Sequence, residues 1–204
     1  MDNEIQTDLT YGSATHKYRL TFEDATHTYR IDGVVVPSVT RILQASKLCD
    51  VSHYKVGAAA HGAEVHKMLE EWDRDDGAPI VRPDIAGYLE GWRKFRRAWP
   101  FVIVDIEKMV CCPAGRYAGR VDRIVERKER DCPPERWVLD IKTGRPERWH
   151  RVQTAMYAMV SNCTGRACVY LNNAGAYKLD VHFDESDYAA GSAAVTLAAW
   201  RTNK

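Results

Sequence analysis

A chain of 204 residues, 45% hydrophobic and 28% charged, has the size and composition of a globular protein with a buried core, as one domain or a domain with an appendage. No apolar run is long enough to cross a bilayer, and the opening Met1-Asp2-Asn3-Glu4 lacks the basic start and apolar centre of a signal peptide, so a cytoplasmic location and no membrane partner are expected. A formal net charge of +1 argues against indiscriminate nucleic-acid binding but leaves room for local basic clusters.

Residues 1–16 show no clear periodicity and are expected to form an unpaired arm. The stretches 18–22 and 26–31 alternate apolar with polar residues, and Asp32-Gly33 before Val34 is a two-residue hairpin signal, so a small antiparallel β-hairpin is expected. Pro37-Ser38-Val39-Thr40 then opens a short helix to about residue 44, capped by Ser38. Within 57–72, Val65, Met68, Leu69 and Trp72 recur at helical spacing, with His66 at the edge of their stripe and Gly62 one turn before it. A loop at 73–83 leads to a second amphipathic helix, 83–98, with Ile85, Tyr88, Leu89, Trp92 and Phe95 inward.

Pro100 stops that helix, and 101–111 reads as a strand with Val102, Val104 and Ile106 on one face and Ile103, Asp105 and Glu107 on the other. A turn at Cys112-Pro113-Ala114-Gly115 leads into a strand over 119–125. The charged segment 126–135, with Pro133-Pro134, is a loop before the next strand, which carries Asp140. A helix over 147–162, strands at 167–171 and 176–183, and an alanine-rich helix over 185–200 complete the chain. This order predicts an α/β fold, a mixed central β-sheet flanked by helices, divided into an amino-terminal unit (1–56: arm, hairpin and short helix) and a core (57–204).

Basic residues gather in three places: Arg93, Lys94, Arg96 and Arg97 in one helix; Arg116, Arg120 and Arg123 around Asp122; and Arg145, Arg148, His150 and Arg151 after Lys142. A groove that tracks phosphates requires such clustering, although solvated helix faces carry it too. The six cysteines, at 49, 111, 112, 132, 163 and 168, form no Cys-x-x-Cys pair and are read as reduced thiols.

The chemistry concentrates in Gly119-Arg120-Val121-Asp122 and Val138-Leu139-Asp140-Ile141-Lys142. Side-chain alternation puts Val138, Asp140 and Lys142 on one face of their strand and Trp137, Leu139 and Ile141 on the other. If the Asp122 strand pairs beside it, two carboxylates and an ammonium converge on rigid backbone, a site for a hard divalent cation that would activate water and stabilise a pentavalent phosphate. Taken singly, each residue has a plainer reading. Asp140 and Lys142 would make a surface ion pair, Asp122 would pair with Arg120 or Arg123, His66 would be a packed histidine, and Tyr157 would be core.

Taken in order, Gly62-x-x-x-His66, Gly119-Arg-Val-Asp122, Asp140-Ile-Lys142 and Gln153-x-x-x-Tyr157 resemble the PD-(D/E)XK nuclease superfamily. The resemblance is to the branch with RecB-type nuclease domains and phage recombination exonucleases, and it covers about 57–160. The segment Val36-Pro-Ser-Val-Thr-Arg-Ile42 also resembles stretches that precede this core in phage-encoded members. Gly-x-x-Asp stands where the name motif has Pro-Asp, as is usual in this branch.

The resemblance implies a restriction-endonuclease-like core and an Mg2+- or Mn2+-dependent deoxyribonuclease. Asp122, Asp140, the Ile141 carbonyl and His66 would be cation ligands, imidazole suiting manganese better than magnesium. Lys142 would orient or deprotonate water or neutralise the phosphorane. Gln153 and Tyr157 would brace the site or hold DNA, Glu107 would stand behind it or serve a second cation, and Arg120, Arg145 and Arg148 would contact phosphate. The implied activity is a phage-type exonuclease leaving 5′-phosphates in recombination or DNA processing, acting in a bacterial cytoplasm. DNA, a single-strand annealing protein and further copies in a homo-oligomer would be its partners. Three alternatives stay open: a structure-selective or single-strand endonuclease, a catalytically silent DNA-binding module, and a CRISPR-associated adaptation nuclease with an iron-sulfur cluster, for which Cys163 and Cys168 lack a close partner.

Overall fold

The computed structural model describes residues 3–11, 14–50, 52, 56–74, 82–128 and 132–202. An amino-terminal sheet is formed by β1 (Asn3–Tyr11), β2 (Ala14–Glu23), β3 (Thr28–Ile31) and β4 (Val34–Val36), all antiparallel neighbours in chain order. Between β3 and β4, Asp32 and Gly33 both have positive φ, 50° and 80°, which is the two-residue turn that Asp-Gly favours. The unpaired arm expected at 1–16 is corrected: Asn3–Tyr11 is a strand paired with β2 over its whole length. Its alternation runs Ile5, Thr7, Leu9, Tyr11, and the β-branched Thr7 serves the strand where an apolar residue was sought.

Ser38 caps α1 (Val39–Ala45), its hydroxyl accepting from the Arg41 amide at 3.2 Å. Helices α2 (Ala58–Arg74) and α3 (Ala86–Ala98) follow, and most of the loop expected between them lies outside the described residues. The main sheet runs β5 (Val102–Cys112), β6 (Tyr117–Arg127), β7 (Glu135–Lys142), β8 (Gly165–Leu171), β9 (Tyr177–Val181), in that spatial order. All its pairings are antiparallel except β7 with β8, which α4 (Arg148–Ser161) connects; α5 (Ser186–Thr202) closes the chain. A parallel pair needs such a crossover, because a tight turn can only reverse the chain.

Helices cover both faces of this sheet. Val65, Leu69, Leu89, Trp92 and Phe95 of α2 and α3 pack with Trp137, Leu139 and Ile141 on one face. On the other, Val138 packs with residues of α1, α4 and α5, so the alternation expected for β7 is realised. The amino-terminal sheet lays Leu20, Phe22, Tyr29 and Ile31 on Met109, Cys111 and Ala118.

In β5 the expected faces are corrected. Ile103 pairs with Val125 but Asp105 with Ile124, which point to opposite cores, so Ile103 and Asp105 do not share a face. The cause is a β-bulge at Val104, one extra residue that resets the alternation. Beyond it Glu107 lies across from Asp122, between the pairs Ile106 with Arg123 and Lys108 with Val121, and takes a left-handed φ of 51°.

Candidate active site

Strands β6 and β7 are paired from Arg127 with Glu135 up to Arg123 with Leu139, and there the ladder ends. The next residues along are Asp122 and Asp140. Asp122 turns its carboxylate into the fork, and its Oδ2 accepts the Ile141 amide at 2.6 Å. Its Oδ1 lies 3.5 Å from His66 Nδ1 on α2. With Glu107 from β5, ligand-capable atoms of His66, Glu107 and Asp122 all fall within 4.8 Å of one another. Three elements distant in sequence thus bring one imidazole and two carboxylates to a point.

Asp140 stands next to this trio but outside it. Its Oδ2 is 2.5 Å from Lys142 Nζ and receives a long contact, 3.7 Å, from the Cys168 thiol. Lys142 also donates to Gln153 Oε1 at 2.8 Å and stands 5.5 Å from the Trp149 ring centroid. Gln153 Nε2 in turn approaches the Tyr157 hydroxyl at 3.5 Å. Tyr157 explains Gly119: a Cβ there would come within 2.7 Å of the Tyr157 ring, so the strand must lack a side chain where α4 crosses it. The ion pair of Asp140 and Lys142 is no surface feature, because Asp140 is only 3% exposed.

The plainer alternative for Asp122, pairing with Arg120 or Arg123, is absent among the described contacts. Arg123 is fully buried and points away, its Nε bonding Asp73 Oδ2 at 2.7 Å while Nη1 donates to the Asp122 carbonyl at 2.6 Å and lies 3.5 Å from Glu107 Oε1. Asp73 also accepts from Trp92 Nε1 and Arg96 Nη1. Sequence reasoning missed this Asp73–Arg123 brace, whose only signal is a charged pair fifty residues apart. Arg120 stacks on Phe22 of the amino-terminal sheet, 4.6 Å from its centroid, and Arg145 and Arg148 are exposed beyond β7. Ile141 contributes its amide to Asp122, and no contact of its carbonyl is among those described.

Burial opposes the Asp122 charge, but His66, Lys142 and the Ile141 amide outweigh it and hold the carboxyl at about 2. Burial raises Asp140, with Lys142 pulling the other way, and Lys142 itself is raised because Asp140 more than offsets its own desolvation. Burial, then the Asp122 charge, pushes Glu107 up to about 7. Burial opposes the imidazolium of His66, yet Asp122 and Glu107 raise it overall. Glu107 Oε1 is buried without a hydrogen-bond partner. Two crowded carboxylates, one with a bare oxygen, and an imidazole fit a divalent cation, whose charge would relieve both the repulsion and the missing bond.

Two solved structures with likeness to the chain are SSO0001 (15% identity over 81% of this chain and 74% of that one, TM-score 0.39) and the alkaline exonuclease LHK-Exo from Laribacter hongkongensis (10% identity over 81% and 87%, TM-score 0.46). A third is LHK-Exo in complex with dAMP, with 11% identity over 82% and 88% and a TM-score of 0.46. No curated protein sequence matches the chain. The profile of the PD-(D/E)XK nuclease superfamily matches residues 76–200, a stretch that starts after His66 and takes in Glu107, Asp122, Asp140, Lys142, Gln153 and Tyr157. With more than half of its length matched in this way, the chain belongs to the PD-(D/E)XK nuclease superfamily.

Proposed function

We propose that the protein is a divalent-cation-dependent deoxyribonuclease that hydrolyses phosphodiesters from DNA ends to leave 5′-phosphates, in recombination or DNA processing. The observation that carries this reading is the convergence of His66, Glu107 and Asp122 beside the ammonium of Lys142. His66, Glu107 and Asp122 would hold the cation, with Asp140 next to them and the Ile141 carbonyl as a further oxygen, and the imidazole would favour manganese over magnesium. The cation, when bound, supplies Lewis acidity that lowers the pKa of water and offsets charge on the phosphoryl oxygens.

Lys142 has a different task. In the cation-free protein Asp140 holds it in the charged form, which suits it to stabilise the negative charge that develops at phosphorus. Gln153 fixes the direction of its Nζ, and Tyr157 steadies Gln153. Asp122 is the pivot, one oxygen tied to backbone and the other turned to His66.

The test is digestion of end-labelled linear duplex, single-stranded and closed circular DNA with Mg2+, Mn2+ or chelator. Loss of linear DNA only, with either cation and not in chelator, is expected. Cutting of closed circles would assign an endonuclease, and binding without cutting would assign a silent module. Lys142→Ala is expected to cripple cutting while leaving Mn2+ affinity, read by calorimetry, close to wild type.

A further inference from the structure

Most basic residues that stand out in the sequence are consumed within the fold. Arg96 is held by Asp73 at 2.9 Å, Lys94 and Arg97 by Glu90 at 3.8 and 3.7 Å, and Arg93 lies over Trp72. Arg151 is held by Asp187 and Asp184. Arg41 and Arg120, like Arg116, Arg145 and Arg148, have no carboxylate partner among the described contacts, and Arg41 and Arg120 alone of these act together on one side chain, His27.

The fold brings these two together. Pro37 accepts the Ala118 amide at 3.1 Å, and Ser38 bridges to Ala118, which seats the first turn of α1 against β6. Arg41 belongs to that first turn, and Arg120 stands two residues beyond Ala118 on the way to Asp122. Arg120 lies over the Phe22 ring, and Phe22 packs on Tyr29 at 4.6 Å and edge-on to His27 at 5.1 Å. His27 is exposed in the turn at 24–27 with a left-handed φ of 50°. The turn's acids offset little of this: Glu23 is engaged by Arg30 and Thr26, leaving exposed Asp24 against two guanidiniums.

The same corner adjoins the cation cluster. Arg120 pairs across β5 with Met109, two residues from Glu107. Burial raises the Tyr29 phenol, Arg120 pulls against it and the Glu107 charge adds to it, so these groups share one neighbourhood. The charge of both Arg120 and Arg41 is likewise felt at His27, after its burial.

We propose that Arg41, Arg120 and His27 form a phosphate-binding wall beside the cation cluster, so that the amino-terminal sheet and α1 grip the sugar-phosphate backbone of the DNA being cut. This rests on the nuclease reading and assigns the amino-terminal unit a substrate contact. Guanidiniums braced on an aromatic platform present several donors to phosphate oxygens at small cost in side-chain ordering. The wall gives affinity and register without reading base sequence.

The experiment measures binding of a short fluorescent DNA duplex in chelator, where nothing is cut, across a series of salt concentrations. Arg41 is exposed, so Arg41→Glu should leave the fold intact, and it is expected to weaken binding about tenfold; Arg41→Ala should flatten the salt dependence by about one phosphate contact. Arg120→Gln is the second probe, and Lys128→Glu, at the opposite end of β6, is the control that should bind like wild type. Turnover with Mn2+ should show a raised KM and a nearly unchanged kcat for Arg41→Ala. Wild-type binding by both Arg41→Glu and Arg120→Gln, or an equal loss in Lys128→Glu, overturns the wall. If wild type binds, the two variants bind weakly and no cation induces cutting, the wall stands and the nuclease reading fails. If wild type and Arg41→Glu bind and cut alike, the wall fails and the nuclease reading stands.

Discussion

Arg166, where β8 meets α4 and α5, and Glu107, at the cation cluster, are both charged groups carried into the interior. Their surroundings differ. Arg166 is 1% exposed and its guanidinium donates to the Arg151 carbonyl, the Asp184 carbonyl and Asp187 Oδ2 at 3.0, 2.7 and 2.9 Å, while lying over the Tyr188 ring. Its charge is matched and most of its donors are used. Glu107 has a strained backbone, a second carboxylate as neighbour, a bare buried oxygen and, among the described contacts, no cation nearer than Arg123 at 3.5 Å. The difference separates charge matched within the fold from charge that the fold leaves unmatched, as the proposed cation site requires, and it can be broken or sharpened one residue at a time.

The largest effect is expected from Asp122→Ala. Cutting should fall by more than about a thousandfold, the several kcal/mol that a catalytic cation supplies, while the protein still folds, with urea unfolding showing a loss of about 1 to 3 kcal/mol for the orphaned Ile141 amide. Asp187→Ala should do the reverse. Arg166 would be left buried without its countercharge, at a cost of about 3 kcal/mol by urea unfolding, and turnover per folded molecule should stay close to wild type. If Asp187→Ala leaves stability untouched, the two clusters are not of different kinds.

Arg123→Lys should have an intermediate effect. Lysine keeps the charge but cannot reach Asp73, the Asp122 carbonyl and Glu107 at once, so Mn2+ affinity should drop about tenfold in a calorimetric titration, as when a group supporting a metal ligand is lost. Glu107→Gln should have the smallest effect on stability, and one of opposite sign. With its folded pKa at about 7 against an ordinary 4.5, Glu107 retains a proton in the cation-free fold that the unfolded chain has released. Stability from this group is therefore present below 4.5 and lost as pH rises through 7. Glu107→Gln should remove that loss and stabilise the cation-free protein at pH 8 by on the order of 1 kcal/mol, while weakening Mn2+ binding. Stability of wild type that rises from pH 5 to 8 at this site would contradict the assignment.

Much of this site was legible in the sequence because its parts sit on elements with strict periods. Asp140 and Lys142 share a face of β7 by alternation, and Gln153 and Tyr157 share a face of α4 by helical spacing, so their chain of contacts follows from local structure. His66 at the edge of an amphipathic stripe was legible for the same reason. Glu107 was placed on the right strand, but its position beside His66 and Asp122 was not legible, because a bulge at Val104 and a left-handed residue are invisible to a two-residue period. Pairing with Arg120 or Arg123 was the plainer alternative for Asp122, and Arg123 is bound instead to Asp73 from another element. Such a pairing depends on how α2 docks on the sheet, which no local pattern encodes. That Arg41 has no carboxylate partner among the described residues was illegible too, since it depends on which acids the finished fold has engaged elsewhere.

The most direct test of the central claim is a calorimetric titration of Mn2+ into wild type and into Asp122→Ala at pH 8, each checked for folding by circular dichroism. Saturable binding in wild type that disappears in Asp122→Ala is the predicted result. Equal binding by the two proteins would place the cation elsewhere and contradict the account.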